Sequence, residues 1–398
     1  MYSHDTFGLG HLRRCREIAH ALVENFKRLQ VLIVSGSSIA GAFDFRARVD
    51  FIKIPSVIKL HSGQYTSLGH HIDLSETLEM RRAIIQQTAE LYRPNVFIVD
   101  KEPLGLRGEI EQTLVMLKAR GCTLVLGLRE VLDAPSVVRA EWTRNEALRK
   151  IEALYDAVWV YGCKDFWDPL TGLDVPRPVR ARMTFTGHLS RSMPRAQNVG
   201  SLDLPDNFIL VTAGGGGDGA PLMRQVLGAR EYDRSLDFPL VMILGPFMTA
   251  GEREEIRERA RHVANVTVLD FESQIEAIIL RSTAIVSMGG YNTFCEILSF
   301  DRPALLVPRK RPRSEQRIRA ERAAELGLVD VLPSEAATDP ARMAEALRRL
   351  PRRPPPSECD RKVDLCGLET IAEMVESYIE RPNGAIAGSR PAARELRR

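Results

Sequence analysis

The chain has 398 residues, more than the roughly 250–300 that one hydrophobic core organises, so a single small module is excluded and two domains are expected. With 44% hydrophobic, 27% charged and 6% aromatic residues it is of the globular class, outside disordered, collagen-like or disulfide-scaffold compositions. Lys+Arg of 55 against Asp+Glu of 52 leaves +3 with the two signs interspersed, which gives no electrostatic case for a nucleic-acid partner.

Only nine of the basic residues are Lys, a skew that reflects a GC-rich gene rather than phosphate recognition. Cys15, Cys122, Cys163, Cys295, Cys359 and Cys366 form no C-x-x-C pair. A domain of this size needs no covalent staples, so reduced thiols and a cytoplasmic location are expected. No apolar run approaches the roughly 18 residues of a membrane span, and Met1–His11 lacks the basic-then-apolar order of a signal peptide. A peripheral contact with the inner face of the membrane stays open.

Short β-branched runs alternate with longer helical stretches, the pattern of parallel sheets with crossover helices. In the first half the spacing predicts strands at Val31–Ser35, Phe51–Ile54, Val96–Asp100, Thr123–Leu128, Ala157–Val160 and Met183–Thr186. Helices are expected at Leu12–Asn25, Leu74–Glu90, Leu106–Arg120 and Val138–Leu154. Only four residues precede Asp5, so a first strand ahead of the glycine-bearing loop is either a stub or starts upstream. The second half predicts strands Phe208–Thr212, Leu240–Leu244, Val266–Leu269, Ala284–Ser287 and Ala304–Val307, with helices Ala220–Ala229, Gly251–His262 and Thr293–Phe300. Leu189–Pro205, rich in Ser, Asn, Gly and Pro, separates an N-terminal domain over 1–190 from a C-terminal domain over 206–350, two doubly wound α/β halves with a cleft at their junction. Residues 351–381 read as a proline-rich linker and an amphipathic helix, Leu368–Ile379, that packs back at the junction, and 382–398 as a disordered tail.

Each half carries one glycine-rich turn into a helix. Phe7-Gly8-Leu9-Gly10-His11 opens the first helix, and Thr212-Ala213-Gly214-Gly215-Gly216-Gly217-Asp218-Gly219 follows the strand at 208–212. Such turns let the backbone approach closely and aim unpaired amides at an anion, for which a diphosphate is the natural occupant; a plain βα turn is the simpler alternative, stronger for Gly8 and Gly10 than for four consecutive glycines. There is no G-x-x-x-x-G-K-[ST], and Arg13 stands where the third glycine of G-x-G-x-x-G belongs, which argues against P-loop NTPases and dinucleotide dehydrogenases. In Ser287-Met288-Gly289-Gly290-Tyr291-Asn292-Thr293-Phe294-Cys295-Glu296 a strand ends in two glycines and a helix is expected from about Thr293, with Glu296 in its first turn. There the carboxylate either accepts hydrogen bonds from a ribose diol or closes a capping box with Thr293.

Taken with Arg302-Pro303-Ala304-Leu305-Leu306-Val307-Pro308, Gln316, Ala320 and Leu326-Gly327, this segment resembles the C-terminal donor domain of glycosyltransferase family 28, the family of MurG. Gly215-Gly216-Gly217-Asp218-Gly219-Ala220 is similar to that family's diphosphate loop, and Thr186-Gly187-His188-Leu189-Ser190-Arg191 to its Gly-Asn-Pro-x-Arg segment at the domain junction. The likeness spans about Met183 to Val331; in the first half it is carried by Gly8–His11 and the strand order, with the family's Gly-Gly-His-x-x-Pro standing here as Gly8-Leu9-Gly10-His11-Leu12-Arg13.

The resemblance implies a GT-B architecture, two Rossmann-like domains facing a cleft, with the nucleotide sugar held by the second. It implies that Glu296 binds the ribose, that Gly215, Gly216, Gly217 and Gly290 contact the diphosphate, that Gly289 and Thr293 belong to the same donor site, and that Phe271 lies in a loop facing the base. Gln316 would contact the donor sugar and Arg191 would approach the phosphates. His11, in the acceptor-side loop with Gly8 and Gly10, is the candidate general base, because an imidazole with a pKa near 6.5 suits deprotonation of a hydroxyl at neutral pH. Holding the loop or touching an anion is its alternative role, and Asp5 is the next candidate base.

No D-x-D occurs, and His61 and His70-His71 in the loop His61–Asp73 have no third partner that would specify a metal, so that stretch reads as a solvated acceptor loop. Helix N-termini and arginines would then offset the leaving-group charge. The run Arg309-Lys310-Arg311-Pro312-Arg313 is either a phosphate contact or a solvated loop. The expected activity is inverting, metal-independent transfer of a hexose or N-acetylhexosamine from a UDP-sugar, with no other cofactor, to a hydroxyl on a glycan, lipid-linked or small-molecule acceptor. A UDP-sugar hydrolase or epimerase on the same fold and a non-catalytic nucleotide-sugar-binding protein are the alternatives; oligomeric state is not fixed.

Overall fold

The computed structural model describes residues 1–4, 9–59, 65–67, 73–192, 203–215 and 217–380. Runs such as VFIVD, AVWVY, ILVT and AIVS are apolar at nearly every position, and they form strands buried on both faces, as parallel strands under crossover helices must. Strands β1 (Tyr2–Ser3), β2 (Val31–Ser35), β3 (Val49–Lys53), β4 (Val57–Lys59), β5 (Tyr65–Ser67), β6 (Val96–Asp100), β7 (Thr123–Arg129), β8 (Ala157–Tyr161) and β9 (Met183–Phe185) lie in the first half. Seven of them make one parallel sheet in the order β3-β2-β1-β6-β7-β8-β9, while β4 and β5 pair antiparallel on their own. The second sheet joins β10 (Ile209–Thr212), β11 (Leu240–Ile243), β12 (Val266–Leu269), β13 (Ala284–Ser287), β14 (Ala304–Leu306) and β15 (Asp330–Val331), all parallel, in the order β12-β11-β10-β13-β14-β15.

Both sheets are therefore doubly wound, the α/β fold expected. Strand order reverses beside β1 in one and beside β10 in the other, and at such a switch point successive loops leave the carboxyl ends toward opposite faces and open a crevice. The chain divides into two compact units, Met1–Leu189 together with the segment from Asp364 onward, and Ser190–Val363. The helix Gly367–Glu380 belongs to the first unit, where Tyr378 stacks on Trp159 with ring centroids 6.3 Å apart.

The first core is built by Val99, Leu124, Leu126 and Val158 from the sheet with Ile85, Leu114 and Ile151 from the helices. The second is built by Ile209, Val211, Met242 and Val286 with Met223, Val226 and Leu347. β1 is two residues long, pairing with Val34, Ser35 and Val99. Toward the amino ends of its neighbours, Val31, Leu32, Val96 and Phe97 line a 410 Å³ cavity closed by Ile85 and Val375.

Several expected elements differ. The helix expected at Val138–Leu154 is two, Pro135–Arg144 and Ala147–Leu154, broken where Glu146 adopts φ +49°. The helix expected at Leu106–Arg120 shrinks to Glu111–Ala119 behind a turn in which Arg107 and Gly108 have positive φ. Tyr65–Ser67, read as part of a solvated loop, is a strand. Helices Ile275–Arg281, Glu315–Glu325 and Pro340–Arg349 were not anticipated.

Candidate functional site

In the second unit, the loop after β10 and the loop after β13 leave adjacent strands in register, Thr212 opposite Ser287. Gly214 turns at φ +65°, and its N–H donates to Thr212 Oγ1 at 3.3 Å. The loop leads into the helix Ala220–Tyr232, whose first turn has no acidic residue and no side-chain cap; Pro221 brings no N–H, which leaves the amides of Ala220 and Leu222 as the first-turn donors an anion could use. Gly215 is pinned from below: Phe247 N–H donates to its carbonyl at 3.0 Å, and Gly245 packs so closely that an added Cβ would stand 2.7 Å from the Gly215 carbonyl carbon.

Gly289, at φ +74°, and Gly290 carry β13 into the helix Tyr291–Ser299. This corrects the expected start at Thr293: Gly290 is the N-cap, extended and without a side-chain bond, so Glu296 is the sixth helical residue, and it neither sits in the first turn nor closes a capping box. Glu296 is fully buried, and Thr293 and Gln316 are buried as well. The buried guanidinium of Arg191 reaches the same helix, donating to Asn292 Oδ1 at 2.8 Å, with its Nε 3.9 Å from Glu296 Oε1. The Arg191 N–H donates to Ser299 Oγ at 3.0 Å. Arg319, also buried, donates to the Gly289 carbonyl at 3.1 Å and covers the Tyr291 ring, fixing the glycine turn.

Gln316 is the second residue of the helix Glu315–Glu325, and its Oε1 accepts from the Arg309 N–H at 3.4 Å. The Arg309 guanidinium pairs with Asp218 of the glycine loop and with Glu315, at 2.8 Å for the latter, so the head of the basic run ties loop and helix together. Phe271 follows β12, next to Asp270, whose carbonyl accepts from the Gly245 N–H at 2.8 Å. Gly216 lies outside the described residues, between Gly215 and Gly217, which are described.

In the first unit His11 is the second residue of the helix Gly10–Asn25, which follows the loop after β1. Gly10 heads this helix; Gly8 and Asp5 lie outside the described residues. His11 Nδ1 meets Asp100 Oδ2 at the carboxyl end of β6, the strand beside β1 across the switch point. With Nδ1–H donating to the carboxylate, Nε2 is left as the acceptor, and the His11 side chain keeps 16% exposure against 2% for Asp100. Arg14, one turn along the same helix, grips both oxygens of Asp100, Nε to Oδ1 at 2.8 Å and Nη2 to Oδ2 at 2.6 Å.

A second buried chain stands behind the first. Arg81 is bidentate to Glu109 at 2.7 and 2.6 Å, and Glu109 accepts from the Tyr2 hydroxyl at 2.5 Å. Tyr2 Oη lies 3.5 Å from His4 Nδ1, and the His4 ring meets His11 edge-on with centroids 5.7 Å apart. Burial holds His4 neutral, its pKa lowered to about 3 against the pull of Glu102. His11 is lowered as well, burial being the largest single cause, Asp100 opposing it and Arg14 and Lys101 adding to it. Burial pushes the Asp100 carboxyl up, but Arg14 and His11 together hold it well below the ordinary carboxylate range, so Asp100 is an anion.

Near the end of this unit's sheet, Gly187 takes φ +87° with an added Cβ only 3.1 Å from the Asp364 carboxyl. His188 is buried, with Nδ1 3.7 Å from Cys163 Sγ and Nε2 4.0 Å from Glu130. Asp100 and Arg14 were not singled out from the sequence as site residues, and Arg309 only as the head of a basic run read as either a phosphate contact or a solvated loop. The usable signals were a carboxylate closing an apolar strand at 96–100 and an arginine one helical turn after His11.

Unit by unit, the candidate residues are, in the second, a glycine loop leading to a helix N-terminus with a buried carboxylate on a neighbouring helix, and in the first, a histidine oriented by a buried aspartate. Residues 208–365 match the glycosyltransferase family 28 C-terminal domain. A protein of Methanosarcina acetivorans described as an uncharacterized glycosyltransferase is 26% identical over 130 residues, 33% of this chain and 32% of that protein; the chain spans about a third of the length of the curated relatives it matches. Among solved structures, the fold is that of CalG4, the calicheamicin glycosyltransferase, with TM-score 0.54 and 16% identity over 96% of this chain and 98% of that one. MurG of Acinetobacter baumannii has TM-score 0.52 and 12% identity over 95% and 98%. The fold is therefore the GT-B type, two Rossmann-like units. No described helix is long and apolar enough to cross a membrane.

Proposed function

We propose that the chain is a glycosyltransferase that moves a hexose or N-acetylhexosamine from a UDP-sugar to an acceptor hydroxyl. The observation that carries this reading is the oriented imidazole of His11 in one unit of a chain whose other unit matches the family 28 donor domain. The diphosphate lies on the amides of Gly215, Gly217 and Gly290, and Glu296 accepts from the ribose. His11 Nε2 takes the proton of the acceptor hydroxyl, whose oxygen attacks the anomeric carbon as the bond to the UDP oxygen breaks; one displacement inverts that carbon. Asp100 stabilises the imidazolium that forms, and helix N-termini with nearby guanidiniums stabilise the departing diphosphate without a metal ion. The acceptor is a glycan, a lipid-linked saccharide or a small molecule, reached in the cytoplasm or from the inner face of a membrane.

The test is UDP release from UDP-glucose and UDP-N-acetylglucosamine by the purified chain, with and without cell extract as acceptor source. Transfer requires release that depends on extract and a glycosylated product. Release without extract indicates a hydrolase, scrambling of the sugar's stereochemistry an epimerase, and binding without any turnover a sugar-nucleotide-binding protein.

A further inference from the structure

We propose that Arg14 is a positioning residue for His11: by holding both oxygens of Asp100 it fixes the carboxylate and sets a permanent positive charge beside the imidazole, which keeps His11 neutral with Nε2 open. The inference rests on the role proposed above for His11.

The geometry separates Arg14 from an ordinary structural arginine. Its side chain is 1% exposed, and Nε and Nη2 hold Asp100 in the bidentate form that Lys cannot reproduce while Nη1 donates to the Gly10 carbonyl at 3.3 Å. The same Nη2 that donates to Oδ2 lies 3.2 Å from His11 Nδ1. Both nitrogens are donors aimed at one oxygen, so the Nδ1–H tautomer is enforced while the guanidinium stays close to the ring. Protonating the imidazole there would place two cations on one shared carboxylate.

A lone His–Asp pair behaves differently, because an unshared carboxylate favours imidazolium and would leave the base largely occupied by its proton near neutrality. Among the described residues, the other charged and titratable groups around His11 do not replace Arg14. Lys101, just beyond β6, acts in the same direction more weakly, and His4 is neutral by burial. Burial is the largest cause lowering His11, with Arg14 and Lys101 adding to it and Asp100 opposing it. Placing His and Arg at i and i+3 on the first helix, both facing the end of β6, is a local sequence device for holding a base ready.

The experiment is an NMR titration of the His11 imidazole in the full chain, assigned by its loss in His11→Gln, for wild type, Arg14→Met and Arg14→Lys. Wild-type His11 is expected to titrate below 6.5. Arg14→Met should raise that midpoint by about one unit or more, and Arg14→Lys, which keeps the charge with poorer geometry, should stay near wild type. Arg14→Gln, which still donates to Asp100 but carries no charge, has the same expected rise as Met and replaces it should the Met variant fail to fold. A folded Met or Gln variant with an unmoved His11 midpoint overturns the proposal. The titration needs no substrate, so it decides on Arg14 whether or not the chain turns over a UDP-sugar. With turnover in hand, the acidic limb of kcat/KM moves up with the NMR midpoint.

Discussion

Gly245 and Gly215 meet backbone against backbone: an added Cβ at Gly245 would come within 2.7–2.8 Å of the Gly214 and Gly215 main chain, at a residue that also holds φ +91°. The glycine loop is thus seated on a second glycine, thirty residues on, at the end of the neighbouring strand β11. Gly245→Ala must both strain its own backbone and push the loop. A stability loss of about 1–3 kcal/mol is expected by urea unfolding, together with roughly tenfold weaker UDP binding by calorimetry, about 1.4 kcal/mol. A destabilised variant with wild-type UDP affinity would mean that the loop is not the diphosphate seat.

Glu296 has no exposed surface and lies beside the Arg191 guanidinium, so its carboxylate meets a ribose only after side chains around it shift. Glu296→Gln keeps the shape and removes the charge. If the carboxylate holds the ribose, UDP affinity falls by about 1.5–3 kcal/mol, the scale of hydrogen bonds to a charged group. If it serves only to neutralise Arg191, the melting temperature drops while UDP affinity stays put, since an unpaired buried charge is costly to the fold.

What the sequence made legible follows from how local each signal is. Strands such as Val96–Asp100 and Ala284–Ser287 announce themselves because a parallel strand under crossover helices is apolar on both faces, and the loop after β10 because a run of glycines, with Gly214 at φ +65°, marks a turn. The break at Asn145–Glu146 is hidden because apolar spacing continues across it from Trp142 to Ala147 and Ile151. The helix Glu315–Glu325 was missed because its buried face includes Gln316 and Arg319, which read as surface residues. Asp100 was invisible as a partner of His11 for another reason: 89 residues separate them, and only the strand order puts β6 beside β1. The helix start at Tyr291 was misplaced because its N-cap is Gly290, which offers no side chain to mark the position.

Turnover should survive excess EDTA. Among the described residues no group of three or more His, Cys, Asp or Glu is placed to hold a metal ion, and the proposed stabilisation of the leaving diphosphate uses amides and guanidiniums. The rate of UDP release with and without chelator checks this, and loss of turnover that Mg or Mn restores would sink the metal-free mechanism.

Acid should unfold the first unit through His4. Its folded pKa of about 3 lies below the ordinary value of 6.5 because of burial, so between those limits the unfolded chain binds a proton that the folded chain does not. Stability from this group is complete above pH 6.5 and declines by about 1.4 kcal/mol per pH unit as pH falls toward 3. His11, lowered from the same starting value, adds a loss of the same sign. In His4→Gln, urea unfolding between pH 6.5 and 4.5 should show a slope smaller by about one proton than wild type. An equal slope in the two proteins would mean that His4 is not held neutral in the fold.

His11 should govern chemistry and leave nucleotide affinity alone. Among the described residues it meets Asp100, Arg14 and His4, all in the first unit, whereas the glycine loop, Glu296 and Gln316 belong to the second. Losing a general base typically removes about 10²–10⁴ in rate, and a group that acts only in the transition state lowers kcat and kcat/KM together. His11→Ala is therefore expected to bind UDP as wild type does by calorimetry and to transfer at most a hundredth as fast. Asp100→Asn should fall in the same range for a different reason: the amide can no longer stabilise the imidazolium, and it frees Nδ1 to lose its tautomeric preference. The pH profiles separate the two effects. Wild-type kcat/KM should fall on acidification with a midpoint below 6.5, as its lowered pKa requires, whereas the residual rate of His11→Ala should have no such limb. If His11→Ala instead loses UDP affinity and keeps its kcat at saturating donor, the imidazole is a phosphate ligand and the proton must leave by another group, with Asp5 the next to replace.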